Sequence, residues 1–575
     1  MKLLDRLFHF IETLPPSDRL ILKILLVCCV VTFLWVVAFI SMRFSVEVPE
    51  QGGAITEGII GTPRFINPLL AVSAADKDMS ALMYAGLMRL SPEGILVPDL
   101  AESLTISDDG LTYNVVLKQD LEFHDGAPLT SDDVLFTISR IQDPSLKSPL
   151  RGTWEGVVIE KISDLEFNFV LKQAYAPFIE YLTVGIIPKH IWENATIEEL
   201  PFSEYNSEPI GSGPYILKSI SRNRSGIPDS YTLTPFSNYH GERPHLDKLT
   251  LIFYQNENEL VAALNEGIVD SAASISSEGI DKIFSAPNAD KRHTLYRTPL
   301  PRTFAVFFNQ NENPLFRDAA VRKALNTAVD RAHIVEEAIG GYGTSINGPL
   351  PPGFGFENTN TATGSPLENI ENARTILREG GWKINETTGL WEKKDGTDVR
   401  QLTFSIATAN TPLFETTAEI LRNTWSELGI PVDVKKFEQT DLTQTVIRPR
   451  KYDALLFGTE VGRELNFYSF WHSSQRNDPG LNVALYASLT TDATLTETRI
   501  EKDFEKRRVY YEQFAEEMKE DMPALFLFVP EFTYIAPSNT HNISFKGLAK
   551  PSERFSQIET WYKDTENVWT LFTSN

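Results

Sequence analysis

Four residues with the chemistry of a catalytic or cation-binding centre crowd into ten positions of the stretch LEFHDGAPLTSDDVLFTISRI, Leu121 to Ile141: His124, Asp125, Asp132 and Asp133. An imidazole among carboxylates can serve as a general base or hold a metal. The local grammar points elsewhere. Leu121 and Phe123 end a strand, and Asp125-Gly126 is a turn dipeptide. Thr130 precedes the apolar-periodic Val134, Leu135, Ile138 and Ile141, so it is expected to be a helix N-cap. Asp133 lies three residues on, where a capping box places its acidic partner. Asp132 and Asp133 also suit the positive end of a helix. Turn and capping chemistry thus accounts for the three aspartates. It leaves His124, a lone histidine beside a turn, as a structural residue.

The rest of the chain offers little for catalysis. There is no H-E-x-x-H, no G-x-S-x-G elbow and no phosphate-binding loop. The nine histidines are scattered, and His240 and His245 are too far apart for a same-face helical pair. The two cysteines, Cys28 and Cys29, both lie in an N-terminal apolar run, so the body has no thiol nucleophile, disulfide or cysteine-based metal site. No metal or cofactor is expected, and the chain is not read as an enzyme. With 77 acidic against 53 basic residues the net charge is -24, which repels nucleic acid. At 575 residues the chain is expected to form two or three domains.

The run ILLVCCVVTFLWVVAFISM, residues 24–42, carries no charge. As a helix it would be about 28 Å long, enough to cross a bilayer. Lys2, Arg6, Arg19 and Lys23 precede it, and Arg43, Glu47 and Glu50 follow, which orients the N-terminus inward and the body outward. Ala38-Phe39-Ile40 is a poor signal-peptidase exit, and Val27 before Cys28 does not suit a lipoprotein signal. An uncleaved signal anchor in the cell membrane is expected, with residues 44–53 as a linker.

The body alternates strand-like and helix-like runs, which means an α/β fold. Strands are expected in GAITEGII, LTYNVVL, LEFNFVL, LTFSIAT, YDALLFGTE and ALFLFVP. Helices are expected at 73–90, in ENELVAALNEG, as one long helix or a pair over 316–340, and at 371–380, 412–429 and 504–521. The repeated VLKQ, at 116–119 and 170–173, is explained by two strands of one sheet. Residues 344–355 read as loop.

The stretch F-H-D-G-x-P-L-T-S-D-D-V-x-F-T resembles a motif of the family-5 extracellular solute-binding proteins, the oligopeptide- and dipeptide-binding subunits of bacterial ABC importers. GSGPYILKSI (211–220) and PFSNYHGERPHLDKLTLIF (235–253) resemble further family segments, the latter with His240 where Trp is usual. ELVAALNEGIVDSA, FRDAAVRKALNTAVDRAHIVEEAIGGYG with its GPLPPG, and ARTILREGGW follow in family order. The resemblance implies a two-lobed periplasmic-binding-protein-like fold (type II, with an extra domain) behind the membrane helix of segment 1–43. Lobe one is then 54–90, 206–300 and 531–575, the extra domain 91–205 and lobe two 301–530. The chain would cross a hinge at RTFAVFFNQ and near Pro530.

It also implies a receptor, expected to be monomeric, that closes on a peptide and delivers it to an ABC permease in the membrane. In the family an aspartate after a lobe-two strand meets the ligand's amino group. Here the matching strand is YDALLFG, Thr459 stands where an aromatic is usual, and Glu464 or Glu460 is the counterpart. Glu464 is preferred. The alternative is a solvated loop glutamate paired with Arg463. Asn466, Phe467, Trp471 and His472 follow as pocket candidates, with several aromatics expected in the core. From lobe one, Phe65 and Asn67 stand against a plain turn, and Arg302 at the hinge against an ordinary surface arginine. Rival readings are a sensory or structural receptor of this fold, a non-peptide solute such as a metal complex or oligosaccharide, and an anchored hydrolase.

Overall fold

The apolar run ALFLFVPEFTYIAP forms a single strand, Ala524–Pro537, whose residues are nearly all buried. In the computed structural model, which describes residues 15–356, 365–396 and 398–569, this strand organises the body. Its first half pairs antiparallel with Arg302–Phe308, which leads on through Ala454–Glu460 and Phe404–Ala409 to Val432–Phe437. Its second half pairs antiparallel with His293–Pro299 and Ser271–Ala273. From there the sheet continues through Ala54–Ile60, Lys248–Tyr254 and Pro228–Pro235 to Tyr215–Arg222. Parallel pairs within each half and helices against them make the body α/β.

Buried apolar residues gather on either side of the crossing. Two clusters draw on residues between 55 and 300 and between 532 and 561. Two others draw on residues between 304 and 529. A separate four-stranded antiparallel sheet lies within the first set: Ala101–Ile106, Thr112–Leu117, Glu166–Val170 and Val158–Lys161. The two VLKQ copies start at the ends of its two central strands, which are neighbours, so one sheet does account for the repeat.

Local capping sets the helices. Asp318 caps Ala319–Ala328 and Asp330 caps Arg331–Ile339, so the amphipathic stretch is a helix pair. Ser365 caps Pro366–Glu379 through Glu368, and Gly429 closes Pro412–Leu428 in the left-handed region at φ 93°. The helix expected over 73–90 is shorter, Ala74–Met83. A Cβ at Gly86 would lie 2.7 Å from the Thr183 backbone, so the chain runs extended past that neighbour. Of the expected loop 344–355, its first two residues belong to the short strand Gly343–Ser345, paired with Val529 and Phe528.

In the opening stretch, Thr130 is the N-cap of Ser131–Gln142, and Asp133 Oδ2 accepts the Thr130 backbone N–H at 2.9 Å. Asp125 Oδ1 accepts from Ala127 N–H, and Asp132 pairs with Lys161 at 2.8 Å. His124 clips this turn to a distant loop. Its Nε2 lies 3.0 Å from the Gly213 carbonyl, and Gly211 N–H donates to Nδ1 at 3.2 Å. A carbonyl only accepts and an amide only donates, so the ring is neutral with its proton on Nε2. Burial pulls the imidazole pKa down to about 4. The unfolded chain therefore binds a proton below its ordinary value that the folded chain refuses. Stability is full above about 6.5 and is lost as pH falls toward 4. Between pH 7 and 5, wild type should lose up to about 2 kcal/mol more than His124→Gln in urea unfolding.

The chain divides into two units, Ala54–Trp561 and Met1–Gly53 with Tyr562–Asn575. In the second, one helix, Pro16–Phe44, contains the apolar run. It passes directly into a strand, Ser45–Pro49, that pairs antiparallel with Thr565–Trp569. The linker expected at 44–53 is thus half strand. Thr565–Trp569, expected in lobe one, pair with the N-terminal segment instead. Lys2 and Arg6 lie outside the described residues.

Candidate functional site

Strand Ala454–Glu460 delivers the chain into the loop Val461–Phe467, which turns sharply: Gly462 has φ 72° and Leu465 φ 53°. The left-handed turn at Gly462 suits a residue without a Cβ. Through this turn successive side chains leave in different directions, and the loop is gripped from two sides.

Glu180, at the end of the short helix Phe178–Tyr181 beside the four-stranded sheet, receives two consecutive backbone amides. Arg463 N–H donates to Oε1 (3.2 Å) and Glu464 N–H to Oε2 (3.4 Å). Asn466 Nδ2 donates to the Tyr175 hydroxyl at 3.0 Å. The Arg463 guanidinium turns the other way, to Glu553 Oε2 at 2.5 Å and to the Gly547 carbonyl. Nearby, Ala176 N–H donates to the Arg499 carbonyl at 2.7 Å, and Lys502 Nζ donates to the Asp108 carbonyl at 3.0 Å. The Arg499 guanidinium lies 5.1 Å from the Tyr175 ring centre.

Glu464 does not pair with its neighbour Arg463, as the alternative reading of the loop had it. Its Oε2 accepts from Arg507 on the helix Phe504–Asp521, and Tyr511 of that helix donates to its backbone carbonyl at 2.9 Å. Burial lifts the Glu464 carboxyl above its ordinary range. Arg507 pulls it down, the charge on Glu180 adds to the lift, and the nearby Arg463 charge lowers it, although Arg463 makes no ion pair with it. Among the groups bonded directly to residues 463–464, the carboxylates of Glu180, Glu464 and Glu553 face the guanidiniums of Arg463 and Arg507.

The other candidates are placed as follows. Phe467 and Trp471 are 1% and 2% exposed and belong to the core around Phe307, Phe514 and Phe526, so they correct to core residues. His472 stacks on Tyr468 at 4.1 Å and bonds Ser474, so it serves its own turn. Asn67, 1% exposed, accepts from Leu69 N–H within a tight turn, and its side chain presents no surface. Phe65 packs against the first core with Arg64 over its ring. Arg302 pairs with Glu460 at 2.8 Å, both nearly half exposed, as cross-strand partners.

Glu180, Tyr175, Glu553 and Arg507 were not legible as site residues. Only Arg507 leaves a trace. It stands in line with Tyr511, Phe514 and Met518 on the buried face of its helix, where an arginine demands a carboxylate.

Comparison with known proteins decides the family. The family model for bacterial extracellular solute-binding proteins, family 5 (middle), matches residues 96–478. The chain belongs to this family. The family-5 protein described here is 29% identical over 535 residues to the oligopeptide-binding protein AppA of Bacillus subtilis (strain 168), covering 91% of this chain and 94% of that one. The structure of Bacillus subtilis AppA in complex with a nonapeptide covers 90% of this chain and 100% of its own, with TM-score 0.65 and 27% identity. That of NikZ from Campylobacter jejuni in complex with Ni(L-His) covers 89% and 99%, with TM-score 0.65 and 26% identity. The fold is therefore that of a two-lobed binding protein, and this family-5 protein is a solute receptor and not an enzyme.

The loop at 461–467 is a meeting of distant segments, bonded to Tyr175, Glu180 and Glu553. Glu180→Gln should weaken that meeting, because an amide offers one acceptor where the carboxylate offers two. About 1–2 kcal/mol of closed-state preference should be lost, read as a larger radius of gyration in small-angle scattering with unchanged far-UV circular dichroism.

Proposed function

We propose that this protein is a membrane-anchored extracytoplasmic receptor that captures peptides by closing its two lobes and delivers them to an ABC permease. One observation carries the reading: a single loop, 461–467, is bonded to Glu180 and Tyr175 on one side and to Glu553 on the other, and it holds the carboxylate of Glu464 against Arg507. A peptide's ammonium pairs with Glu464, and Arg507 orients that carboxylate. Arg463 and Asn466 hold the closed state through Glu553 and Tyr175.

The division into lobe one (54–90, 206–300 and 531–561), an extra domain (91–205) and lobe two (301–530) belongs to the same proposal, and so does a monomeric state. The two chain crossings would be the hinge. Closure then follows from contacts to both lobes that the open form lacks. The names of relatives support peptides as the solute class, while the nickel–histidine complex of NikZ points to a second, smaller class. The helix Pro16–Phe44, apolar over Pro16–Val36 and exposed throughout that window, supports the anchor.

The test is native mass spectrometry of the full chain purified in detergent. Co-purified peptides, released on mild unfolding, are the expected result. A bound non-peptide solute would redirect the reading, and chemically converted products would overturn it.

A further inference from the structure

The second unit holds a feature that solute capture does not use. Helix Pro16–Phe44 is followed by strand Ser45–Pro49 with no intervening residue, and that strand is zipped to Thr565–Trp569. The register is Ser45↔Trp569, Val46↔Val568, Glu47↔Asn567, Val48↔Glu566 and Pro49↔Thr565. Beyond it, Glu50 N–H donates to the Asp564 carbonyl at 2.9 Å. The late strand therefore runs back toward the helix, and Trp569 comes level with the first residue after it, though over 500 positions separate them in sequence.

The charges along this ribbon are graded. The uncharged helix run ends at Met42 and Arg43 follows. At the ribbon's foot lie Phe44 and Trp569, 51% and 40% exposed. The carboxylates Glu47, Glu566, Glu50 and Asp564 lie progressively farther up. Arginine and tryptophan favour the headgroup layer, whereas carboxylates are repelled by anionic lipid. The far end stands about 15 Å above the foot at the rise of an extended strand.

We propose that the C-terminal strand is a second foothold on the bilayer, with Trp569 seated among phospholipid headgroups where the helix emerges. The inference rests on the anchored reading of that helix. It makes the tether a paired ribbon entered by the chain twice, at residues 53–54 and 561–562, instead of a single flexible linker.

The test uses the full chain in nanodiscs of phosphatidylcholine with phosphatidylglycerol, with Cys28→Ser and Cys29→Ser. A fluorophore is placed in turn on Phe44→Cys, Asn567→Cys, Thr565→Cys and, as a body control, Ser225→Cys. Quenching by lipids with a nitroxide near the headgroup should fall in the order 44, 567, 565, with a ~2-fold or greater loss of emission at 567 relative to Ser225. Adding Trp569→Ala should reduce the quenching at 567, and Trp569→Phe should largely keep it. If position 44 is quenched while 567 matches Ser225, the foothold is refuted and the anchor survives. If 44 is also unquenched and intact mass shows the N-terminal helix removed, both readings fall.

Discussion

Replacing Arg554 with methionine is expected to remove about 3–5 kcal/mol of stability, the range for breaking a buried ion pair from one side. Arg554 is 1% exposed at its side chain and lies between Glu57, at 0%, and Asp78, at 6%. Its Nε and Nη2 donate to Glu57 Oε1 at 3.0 and 2.6 Å, and its Nη1 and Nη2 donate to Asp78 at 2.8 and 2.7 Å. Tyr534 donates to the other Glu57 oxygen at 2.8 Å, so the triad sews three distant segments of the first core together. Burial already lifts the Glu57 carboxyl, with Arg554 opposing the lift.

Without the guanidinium, two carboxylates remain in a dry site, and protonation is their way out. The Glu57 carboxyl, lifted by burial and no longer opposed by Arg554, then stands above its unfolded value, so the variant binds extra protons when folded. Its loss should shrink as pH falls and grow as pH rises. Combining Arg554→Met with Glu57→Gln and Asp78→Asn should recover a large part of the loss, because the buried charge is gone. Urea unfolding at pH 7 and pH 5 checks the set. A single substitution costing under about 1 kcal/mol would mean that the triad is far better hydrated than its burial indicates.

The second large effect concerns binding. Glu464→Gln should weaken peptide affinity by about 2–5 kcal/mol, which is ~30- to several-thousand-fold in Kd. The amide still accepts from Arg507 but no longer answers an ammonium. The same loss should appear when the wild type meets an N-acetylated peptide, and the variant should not distinguish acetylated from free peptide. Calorimetry reads all four combinations. Equal affinity of wild type and variant for the free peptide would remove Glu464 from the site. Equal losses for free and acetylated peptides would show that it acts only by holding the loop through Arg507.

What the sequence disclosed and what it hid follow one division. Features written in neighbouring residues could be read. Thr130 with Asp133 announced a helix start, Asp125 a turn, and the Gly-terminated runs their helix ends. The family motifs disclosed the two-lobed fold in the same way, because they are strings of local turn and cap chemistry. The pairing partners could not be read. Adjacency suggested that Arg463 would satisfy Glu464. The turn through Leu465 sends them apart instead, to partners 90 and 43 positions away. Arg554 finds Glu57 across 497 positions. The ribbon at Ser45–Pro49 was hidden for the same reason: five residues give too few alternations to announce a strand, and its partner lies at the other end of the chain.

The strand Ala524–Pro537 carries a consequence for anyone who would take this molecule apart. Its first half belongs to one sheet neighbourhood and its second half to the other, without interruption. A cut on either side of Pro530 leaves each fragment with a severed central strand and a row of bare backbone donors and acceptors at its edge. Such edges recruit any extended chain within reach. Separately expressed halves should therefore reassemble when mixed or else precipitate, and neither should persist as a tidy miniature of the whole.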